Sequence, residues 1–338
     1  MSQTEHAAQS TGNSAKAPAP GPAHQQNVVV RSLVRFPMLY VLVVLLIMTT
    51  YLYPGFWKST NLENMMQQNV ALIMASIGMT FVIMAGGFDL SVGAVFATGA
   101  VFYLSFDGVA PAWVAVIVAV GLGLVCGLVN GTLVNLFHIN PFVATLGTSS
   151  AFIGIMTLYA GANTKFSASD EFGFLGTYKW NDLIPLSTVV SVVIFVIAAV
   201  VLARSTYGRS VYAVGGNKEA ARLSGIRVGM ISASTFVIIG GLAALGGVFT
   251  ASQLGTAQPN FVGTVTLDAI AVVIIGGTSL VGGEGAMWRT AVGVAILAVV
   301  NNLFASLNLD PSLQLLFKGV IVIVAVGADV WTRRRTSA

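Results

Sequence analysis

The segment IGMTFVIMAGGFDLSVGAVFATGA, residues 77–100, decides how this chain is organised. It contains two apolar runs that are separated by a glycine pair and by Asp89, the only charged residue in the segment. Long apolar runs are typical of membrane helices, and a break inside them is tolerated only where protein or a cavity covers the backbone. The segment therefore predicts a helix, a glycine-rich break, and a second helix that is either a full span or a half-helix.

The composition of the whole chain favours the same environment. The 338 residues are 56% hydrophobic and 8% charged, with a mean hydropathy of +0.85, whereas a soluble domain is about 25% charged. We therefore predict an all-α polytopic membrane protein, in which the net charge of +4 concerns orientation and gives no reason to expect nucleic-acid binding. Cys126 is the only cysteine and the three histidines are scattered, so neither a disulfide nor a metal site is expected.

Apolar stretches of about 20 residues predict ten spans. They cover roughly 36–53, 67–85, 90–106, 111–136, 142–160, 184–203, 230–252, 266–283, 287–306 and 313–331. Glycine clusters break the third and the eighth, so each of these two is either a full span or a half-helix or re-entrant element. The predicted domains are a disordered cytoplasmic tail over 1–35, a transmembrane domain over 36–331 with a loop over 204–229, and a basic C-terminus over 332–338.

The positions of Lys and Arg predict the orientation, because cytoplasmic loops carry the excess of these residues. With ten spans, twelve of the sixteen Lys and Arg residues fall on one side, which includes both termini and the 204–229 loop. The opposite side keeps only Lys58, Lys165, Lys179 and Lys318. Both termini and this loop are therefore expected in the cytoplasm.

Two internal similarities favour a repeated architecture. GGFDLSVG (86–93) is similar to GGTSLVGG (276–283), and NLFHINP (135–141) is similar to NLFASLNLDP (302–311). Transporters often carry internal repeats with interrupted helices at equivalent positions. The two sequence offsets differ, so the similarities do not define a symmetry, and chance matching between glycine-rich segments stays an alternative.

The stretch YGRSVYAVGGNKEAARLSGI, residues 207–226, is a polar insert in an apolar chain. It predicts a short cytoplasmic helix that follows a turn at Gly215 and Gly216, with Asn217 as its N-cap and Gly225 as its C-terminal stop. Glu219 near the helix start and Arg222 near its end suit the helix dipole. Such a helix either contacts a partner protein through Ala220, Leu223 and Ser224 or lies on the membrane surface.

Polar residues inside the spans are the candidates for a translocation path. Asp89 and the neighbouring Ser91 either cap the next helix or contact a substrate, and capping is favoured; Asp268 poses the same choice at the eighth span. The uncharged candidates either line a path or join helices through hydrogen bonds: Asn130, Thr145, Thr148, Ser149, Ser150, Asn301 and Asn302.

The chain lacks a source of energy for pumping. No G-x-x-x-x-G-K-[ST] loop is present, so hydrolysis of a nucleotide by that route is excluded. No run of ionisable residues crosses the spans, which argues against a proton relay. The chain is therefore not expected to be an enzyme or to bind a cofactor.

Four motifs in order resemble a known family. They are residues 77–100, NPFVATLGT (140–148), residues 207–226 and LDAIAVVIIGGTSLVGGEG (267–285). Together they resemble the ribose, xylose, arabinose and galactose class of bacterial ABC importer permeases, over about residues 35 to 330. AQPNFVG and GGTSLVGG are most similar to the ribose-type members, although the sugar itself is not identified.

The resemblance implies the partners and the fold. It implies a homodimer of about ten spans per chain, arranged similarly to the cobalamin-type (type II) importers, in the bacterial cytoplasmic (inner) membrane. It further implies a periplasmic or lipid-anchored sugar-binding protein and a separate ATPase, often with two fused nucleotide-binding halves, that uses ATP and magnesium. Alternatives are a nucleoside, polyol or autoinducer permease, or a stand-alone facilitator or channel.

The resemblance also implies a role for the polar insert, which is contact with the ATPase. It places the helix that contacts the ATPase in the loop between spans six and seven. The residues implied are Gly215, Gly216, Asn217, Lys218, Glu219, Ala220, Ala221, Arg222, Leu223, Ser224 and Gly225. One departure is Thr266, because the family often has an acidic residue at this position, so any role of that acid in contacting substrate or binding protein is in doubt here.

Overall fold

The computed structural model describes residues 37–161, 163–167, 169–259, 264–310 and 312–320, together with residues 323 and 327. The predicted tail over 1–35 and the predicted basic C-terminus over 332–338 lie outside these residues. The helices are α1 (Pro37–Leu52), α2 (Ser59–Gln68), α3 (Val70–Met84), α4 (Val92–Ser105), α5 (Ala112–Asn135), α6 (Pro141–Ala160), α7 (Asp170–Thr177), α8 (Leu186–Arg204), α9 (Thr206–Gly216), α10 (Lys218–Leu223), α11 (Val228–Leu254), α12 (Val265–Ile275) and α13 (Met287–Ser306). Residues 312–320 are also helical.

Helix lengths establish a multi-pass membrane protein. Among the described residues, five helices are long and apolar enough to cross a membrane, namely α5, α6, α8, α11 and α13, and α2 with α3 would make a sixth. The helices α2 and α3 meet at a bend of 44°, which the sequence did not predict. The apolar helices α4 and α12 are shorter, so the count of ten spans stays a prediction.

The eighth predicted span, over 266–283, was wrong in its extent. Helix α12 ends at Ile275, and Gly277, Gly282 and Gly283 all have positive φ angles. Left-handed backbone is the conformation that glycine adopts without strain and that ends a helix. Glycine therefore stops this helix well short of residue 283.

Helix α11 lies at the centre of the bundle and packs against α3, α4, α5 and α7. Its closest approach is to α5, where a Cβ atom on Gly240 would overlap the carbonyl oxygen of Gly123. Small residues let the backbones of two membrane helices come close together, which increases the dispersion contacts between the helices. These contacts are important because lipid is as apolar as the helices, so the hydrophobic effect does not drive helix association. The core around this contact is built from Val92, Phe96, Phe236 and Ile239, all of which are buried.

The two helix breaks share a backbone pattern. After α3, the N–H groups of Gly86 and Gly87 donate to Ile83 O and Val82 O; after α12, those of Gly277 and Thr278 donate to Ile274 O and Val273 O. Gly86 has a φ of 76° and Gly277 a φ of 82°. The similarity of 86–93 to 276–283 therefore reflects the same helix end, shifted by one residue from the alignment of the two glycine pairs.

Short strands and α7 lie between the long helices, and the sequence did not predict them. Strand β1 (Lys165–Phe166) pairs antiparallel with β4 (Thr256–Ala257), and β2 (Lys179–Trp180) pairs antiparallel with β3 (Ile184–Pro185). Helix α7 is held to the bundle by Phe172 O, which accepts from Tyr103 Oη at 2.7 Å and from Ser252 Oγ at 2.6 Å. These bonds join α7 to the C-terminal ends of α4 and α11.

Candidate functional site: the polar insert and the helix breaks

The polar insert folds into two helices rather than the single one predicted. Gly215 and Gly216 lie inside α9, so the prediction of a turn at these glycines was wrong. The break between the two helices falls at Asn217, which is extended and whose side-chain oxygen accepts from Ala220 N at 3.0 Å, providing the predicted N-cap of α10. The turn falls one residue later because the glycines are used for packing.

Helix α10 ends where the sequence predicted. Gly225 has a φ of 83°, and the N–H of Ile226 donates to Ala221 O at 3.1 Å while that of Gly225 donates to Arg222 O at 3.0 Å. This pattern satisfies carbonyl groups that the end of a helix leaves without a partner. The short helix is therefore closed at both ends by its own residues.

Helix α9 packs directly on both helix breaks. A Cβ atom on Gly215 would overlap Met84 O, the last carbonyl of α3, and Gly283 donates its N–H to that same carbonyl at 2.9 Å. The adjacent Gly216 lies against Gly283, whose added Cβ would come within 2.6 Å of the Gly216 Cα. The insert, the break after α3 and the break after α12 therefore meet at one glycine junction, formed by Gly86, Gly215, Gly216, Gly282 and Gly283.

Two tyrosines of α9 form hydrogen bonds that hold α9 against the residues around it. Tyr212 Oη donates to Gly285 O at 2.9 Å, and the hydroxyl of Tyr207 lies 2.8 Å from Ser234 Oγ on α11. Burial raises the pKa of both hydroxyls above the ordinary tyrosine value. Both tyrosines are therefore protonated at neutral pH, and Tyr212 is available as a donor.

The remaining face of α10 is exposed. Ala221 is buried, whereas Ala220, Leu223 and Ser224 are exposed, with Leu223 at 80%. Glu219 and Arg222 form an exposed ion pair at 2.8 Å, and Lys218 is exposed beside them. An exposed leucine within a rim of charged side chains is a surface suited to contact another protein.

Of seven path candidates, Asp89, Ser91, Asn130, Thr145, Thr148, Asn301 and Asn302, the structure brings the first five together. Asp89 Oδ1 accepts from Ser91 N at 2.8 Å and from Ser91 Oγ at 2.6 Å. Asn130 Nδ2 donates to Ser91 Oγ at 2.7 Å, and Thr148 Oγ1 donates to Asn130 Oδ1 at 2.6 Å. Thr145 Oγ1 accepts from Leu90 N at 3.0 Å. These bonds join the break to α5 and α6.

Asp89 therefore stabilises the break between α3 and α4 through local hydrogen bonds. It is 1% exposed, and both of its bonds go to Ser91, two residues along the chain, instead of to the first turn of α4. Helix α4 has no side-chain cap, so the favoured reading of Asp89 and Ser91 as its cap was wrong, and the two bonds instead form an Asx turn before the helix. The side chains of this network bond to one another and are buried.

The other two path candidates lie elsewhere. Asn302 exchanges hydrogen bonds with Asn61 at 3.2 and 2.8 Å, and Asn301 Oδ1 accepts from Gln314 Nε2 at 2.8 Å. Of the two serines, Ser149 is half-buried, and Ser150 is exposed and bonds only within α6 among the described residues. Helix joining accounts for Asn302, whereas Ser150 bonds to Leu146 O of its own helix.

Sequence reasoning missed a buried ion pair. Lys318 Nζ lies 2.8 Å from Asp268 Oδ2, and the two side chains are 10% and 11% exposed. Thr264 Oγ1 also donates to Asp268 Oδ2, at 2.7 Å. The available signal was a lysine in an apolar span, because an intramembrane charge needs a partner. Thr266 accepts from Gly93 N at 2.9 Å and so joins α12 to the start of α4.

Comparison with known proteins identifies the family. Residues 61–326 match the family described as the permease component of branched-chain amino acid transport systems. The ribose import permease protein RbsC of Bacillus subtilis (strain 168) is 37% identical over 291 residues, which cover 85% of this chain and 90% of the relative. The D-allose transport system permease protein AlsC of Escherichia coli (strain K12) is 33% identical over 299 residues, covering 87% and 91%. The galactose/methyl galactoside import permease protein MglC of the same strain is 30% identical over 312 residues, covering 86% and 92%.

No solved structure gives a significant match to this chain. The apolar helices, their glycine breaks and the polar insert define a multi-pass membrane permease. The chain belongs to the permease family that residues 61–326 match, and its curated relatives include import permeases for several sugars.

Proposed function

We propose that the chain is the membrane permease subunit of an ATP-driven ABC importer for a monosaccharide, with a ribose-like sugar favoured. The observation that carries the coupling role is the glycine junction, where α9 touches Met84, at the end of α3, and Gly283, in the break after α12. The ribose, allose and galactose permeases among its relatives support the class of substrate.

The polar insert is the part that receives force from a cytoplasmic ATPase. Helix α10 presents the exposed Leu223 and the Glu219–Arg222 pair to the outside of the bundle, while α9 rests against both breaks. A displacement of α10 is therefore passed through α9 directly to the end of α3, and to α12 through the segment that contains Gly283. A shift between two packed arrangements of such helices is an established way to open and close a path.

The assembly proposed is a homodimer of chains with about ten spans each, similar in arrangement to the type II importers. The ATPase supplies the nucleotide chemistry with ATP and magnesium, and a periplasmic or lipid-anchored binding protein delivers the sugar. The insert and both termini face the cytoplasm of a bacterial inner membrane, as the distribution of Lys and Arg favours.

Reconstitution tests this function. Liposomes that contain the permease alone should show no sugar flux. Addition of ATPase, ATP and loaded binding protein together should start ribose uptake, and omission of any one should stop it. Steady downhill flux through the lone chain would contradict the proposal in favour of a facilitator.

Glu219→Arg tests the coupling surface in the same system. The substitution places a cation at the start of α10, where the helix dipole favours an anion, and removes the ion pair with Arg222. We expect an intact permease with reduced ATP-driven uptake. Asp170→Arg is the matched control, because Asp170 also lies in the first turn of a short helix, α7, but away from the insert. Wild-type uptake by Glu219→Arg with normal ATPase binding would refute the coupling role.

A further inference from the structure

A polar cavity of about 320 Å³ lies among the apolar helices. It opens where α2 bends into α3, beside the start of α12, the end of α13 and the helical residues 312–320. Its polar lining comes from all of these elements and comprises Gln68, Asn69, Thr264, Asp268, Asn301, Gln314 and Lys318. The volume is at the lower end of the range of roughly 300–1,000 Å³ typical of small-molecule sites.

The lining of the cavity contains hydrogen-bond donors and acceptors that have no partner among the described residues. Lys318 donates to Asp268 Oδ2, and Gln314 Nε2 donates to Asn301 Oδ1, both at 2.8 Å. Within the described residues, Asp268 Oδ1, Gln314 Oε1 and Asn301 Nδ2 make no hydrogen bond, and the lysine ammonium keeps further N–H groups. The cavity can therefore give and accept several hydrogen bonds at once.

The charge of the lining points to a neutral ligand. Asp268 and Lys318 compensate each other within the wall, and the other polar groups are amides. A charged ligand would need a second, uncompensated charge at membrane depth, which is costly. Hydroxyl groups, each of which both donates and accepts, match the mixture of carboxylate, ammonium and amide groups.

The cavity is connected to the coupling insert by helix α3. It lies at the N-terminal ends of α3 and α12, and the C-terminal end of α3 reaches the glycine junction, whereas Gly282 and Gly283 belong to the segment that follows α12. Helix α3 has 15 residues and therefore spans about 22 Å. A movement at the junction would reach the cavity wall through α3 itself.

We propose that this cavity holds a monosaccharide at the outer end of the translocation path, with Asn301, Gln314 and the Asp268–Lys318 pair as its hydrogen-bonding groups. The inference rests on the proposed function, which places the insert in the cytoplasm and the cavity towards the opposite face. On the far side of the ion pair lies an apolar cavity of about 380 Å³, lined in part by Leu267, Ala271 and Leu315. The pair forms the wall between the two cavities.

The test compares Gln314→Leu and Asn301→Leu with a matched control, Gln253→Leu. Gln253 donates to Gln67 Oε1 at 3.4 Å, so the control also removes an amide from an amide pair, but outside the cavity. Each variant is reconstituted with ATPase and binding protein, and uptake of ribose, galactose and leucine is measured beside ATP hydrolysis. We expect uptake of sugar to fall by about tenfold in the two cavity variants, because a hydrogen-bonding partner of the ligand is lost. ATP hydrolysis stimulated by binding protein should persist in them, and the control should resemble the wild type.

Each outcome decides the question. Unchanged sugar uptake in the cavity variants, or a parallel fall of uptake and ATP hydrolysis, would overturn the cavity as a sugar site while leaving the importer intact. A wild-type complex that transports leucine and no sugar would instead refute the proposed function, and the inference with it. These two failures are distinguished by the wild-type measurement alone.

A second measurement covers the case in which a leucine variant fails to fold. Cys126 is the only native cysteine, so Asn301→Cys in a Cys126→Ser background places a single thiol in the cavity wall. Ribose delivered by the binding protein should slow its reaction with a maleimide in the full complex, whereas leucine should not. An unchanged labelling rate with ribose would overturn the proposal.

Discussion

Gly283 donates its backbone N–H to the carbonyl of Met84 at 2.9 Å, and this bond joins two helix breaks that lie far apart in the sequence. Met84 is the last residue of α3, and its carbonyl would otherwise lack a partner, as helix ends do. The same carbonyl sits against Gly215 of α9. The Met84 carbonyl is thus contacted both by the break after α12 and by the insert. The glycine junction therefore links the insert to both helix breaks.

Gly215→Ala should damage this junction, whereas Gly216→Ala should not. A Cβ atom on Gly215 would overlap Met84 O, while one on Gly216 would meet open space. Overpacking of this kind typically costs about 1–3 kcal/mol, and Gly→Ala in an unobstructed helix is favourable by roughly 0.5–1 kcal/mol. Thermal unfolding of the purified permease and ATP-driven sugar uptake provide the two measurements.

The outcome that would contradict this prediction is specific to the pair. Equal stability and equal uptake in Gly215→Ala and Gly216→Ala would mean that α9 can move away from Met84 at no cost. The direct path from the insert to α3 would then be lost as an explanation of coupling.

Gly225→Val should weaken the end of α10, with Gly225→Asn as the control. The φ of 83° costs a β-branched residue about 1–2 kcal/mol or more, and asparagine is the residue that best replaces glycine in this conformation. No neighbouring atom lies within 4 Å of the added Cβ, so the effect is one of backbone strain. We expect reduced ATP-driven uptake for valine, near-normal uptake for asparagine, and normal folding for both. Wild-type uptake by Gly225→Val would show that the shape of α10 is unimportant.

Asp89→Asn should be mild and Asp89→Ala destabilising. Asparagine keeps an oxygen that can accept from Ser91 N and Ser91 Oγ, as Asp89 Oδ1 does. Alanine leaves the buried N–H of Ser91 without this acceptor, at a cost of about 1–3 kcal/mol. Thermal stability distinguishes the two, and selectivity between sugars distinguishes this role from substrate contact. A fold that is stable in both variants, with altered selectivity, would assign Asp89 to the path instead.

Local signals in the sequence predicted much of this structure. The apolar run and the glycine pair predicted the end of α3 near Gly86, and Asn217 and Gly225 predicted the limits of α10 correctly. Each of these depends on backbone conformation within a few residues, which residue type constrains directly. The family, too, was recognisable from motifs in their order.

Long-range partners could not be predicted. Nothing near Gly215 indicates that it would be helical, because the reason lies in Met84 and Gly283. The hydrogen bonds from Asp89 through Ser91 and Asn130 to Thr148 likewise depend on how α5 and α6 pack. Asn301 and Asn302 are adjacent in sequence but face different partners, Gln314 and Asn61. Neither composition nor residue spacing predicts that two such neighbouring residues have different partners.

Lys318→Met should destabilise the permease more than the double variant Asp268→Leu/Lys318→Met. Removal of the lysine leaves the Asp268 carboxylate, 8% exposed, with only Thr264 as a partner among the described residues. Breaking one side of a buried ion pair costs about 3–5 kcal/mol, whereas replacing both members by apolar residues is often neutral. We expect the double variant to recover most of the lost stability, which thermal unfolding in detergent measures as a double-mutant cycle. Its sugar uptake should remain low, because the cavity has lost two polar groups. If the double variant were as unstable as the sum of the two single variants, the charges would not be coupled, and the pair would not form the wall between the two cavities.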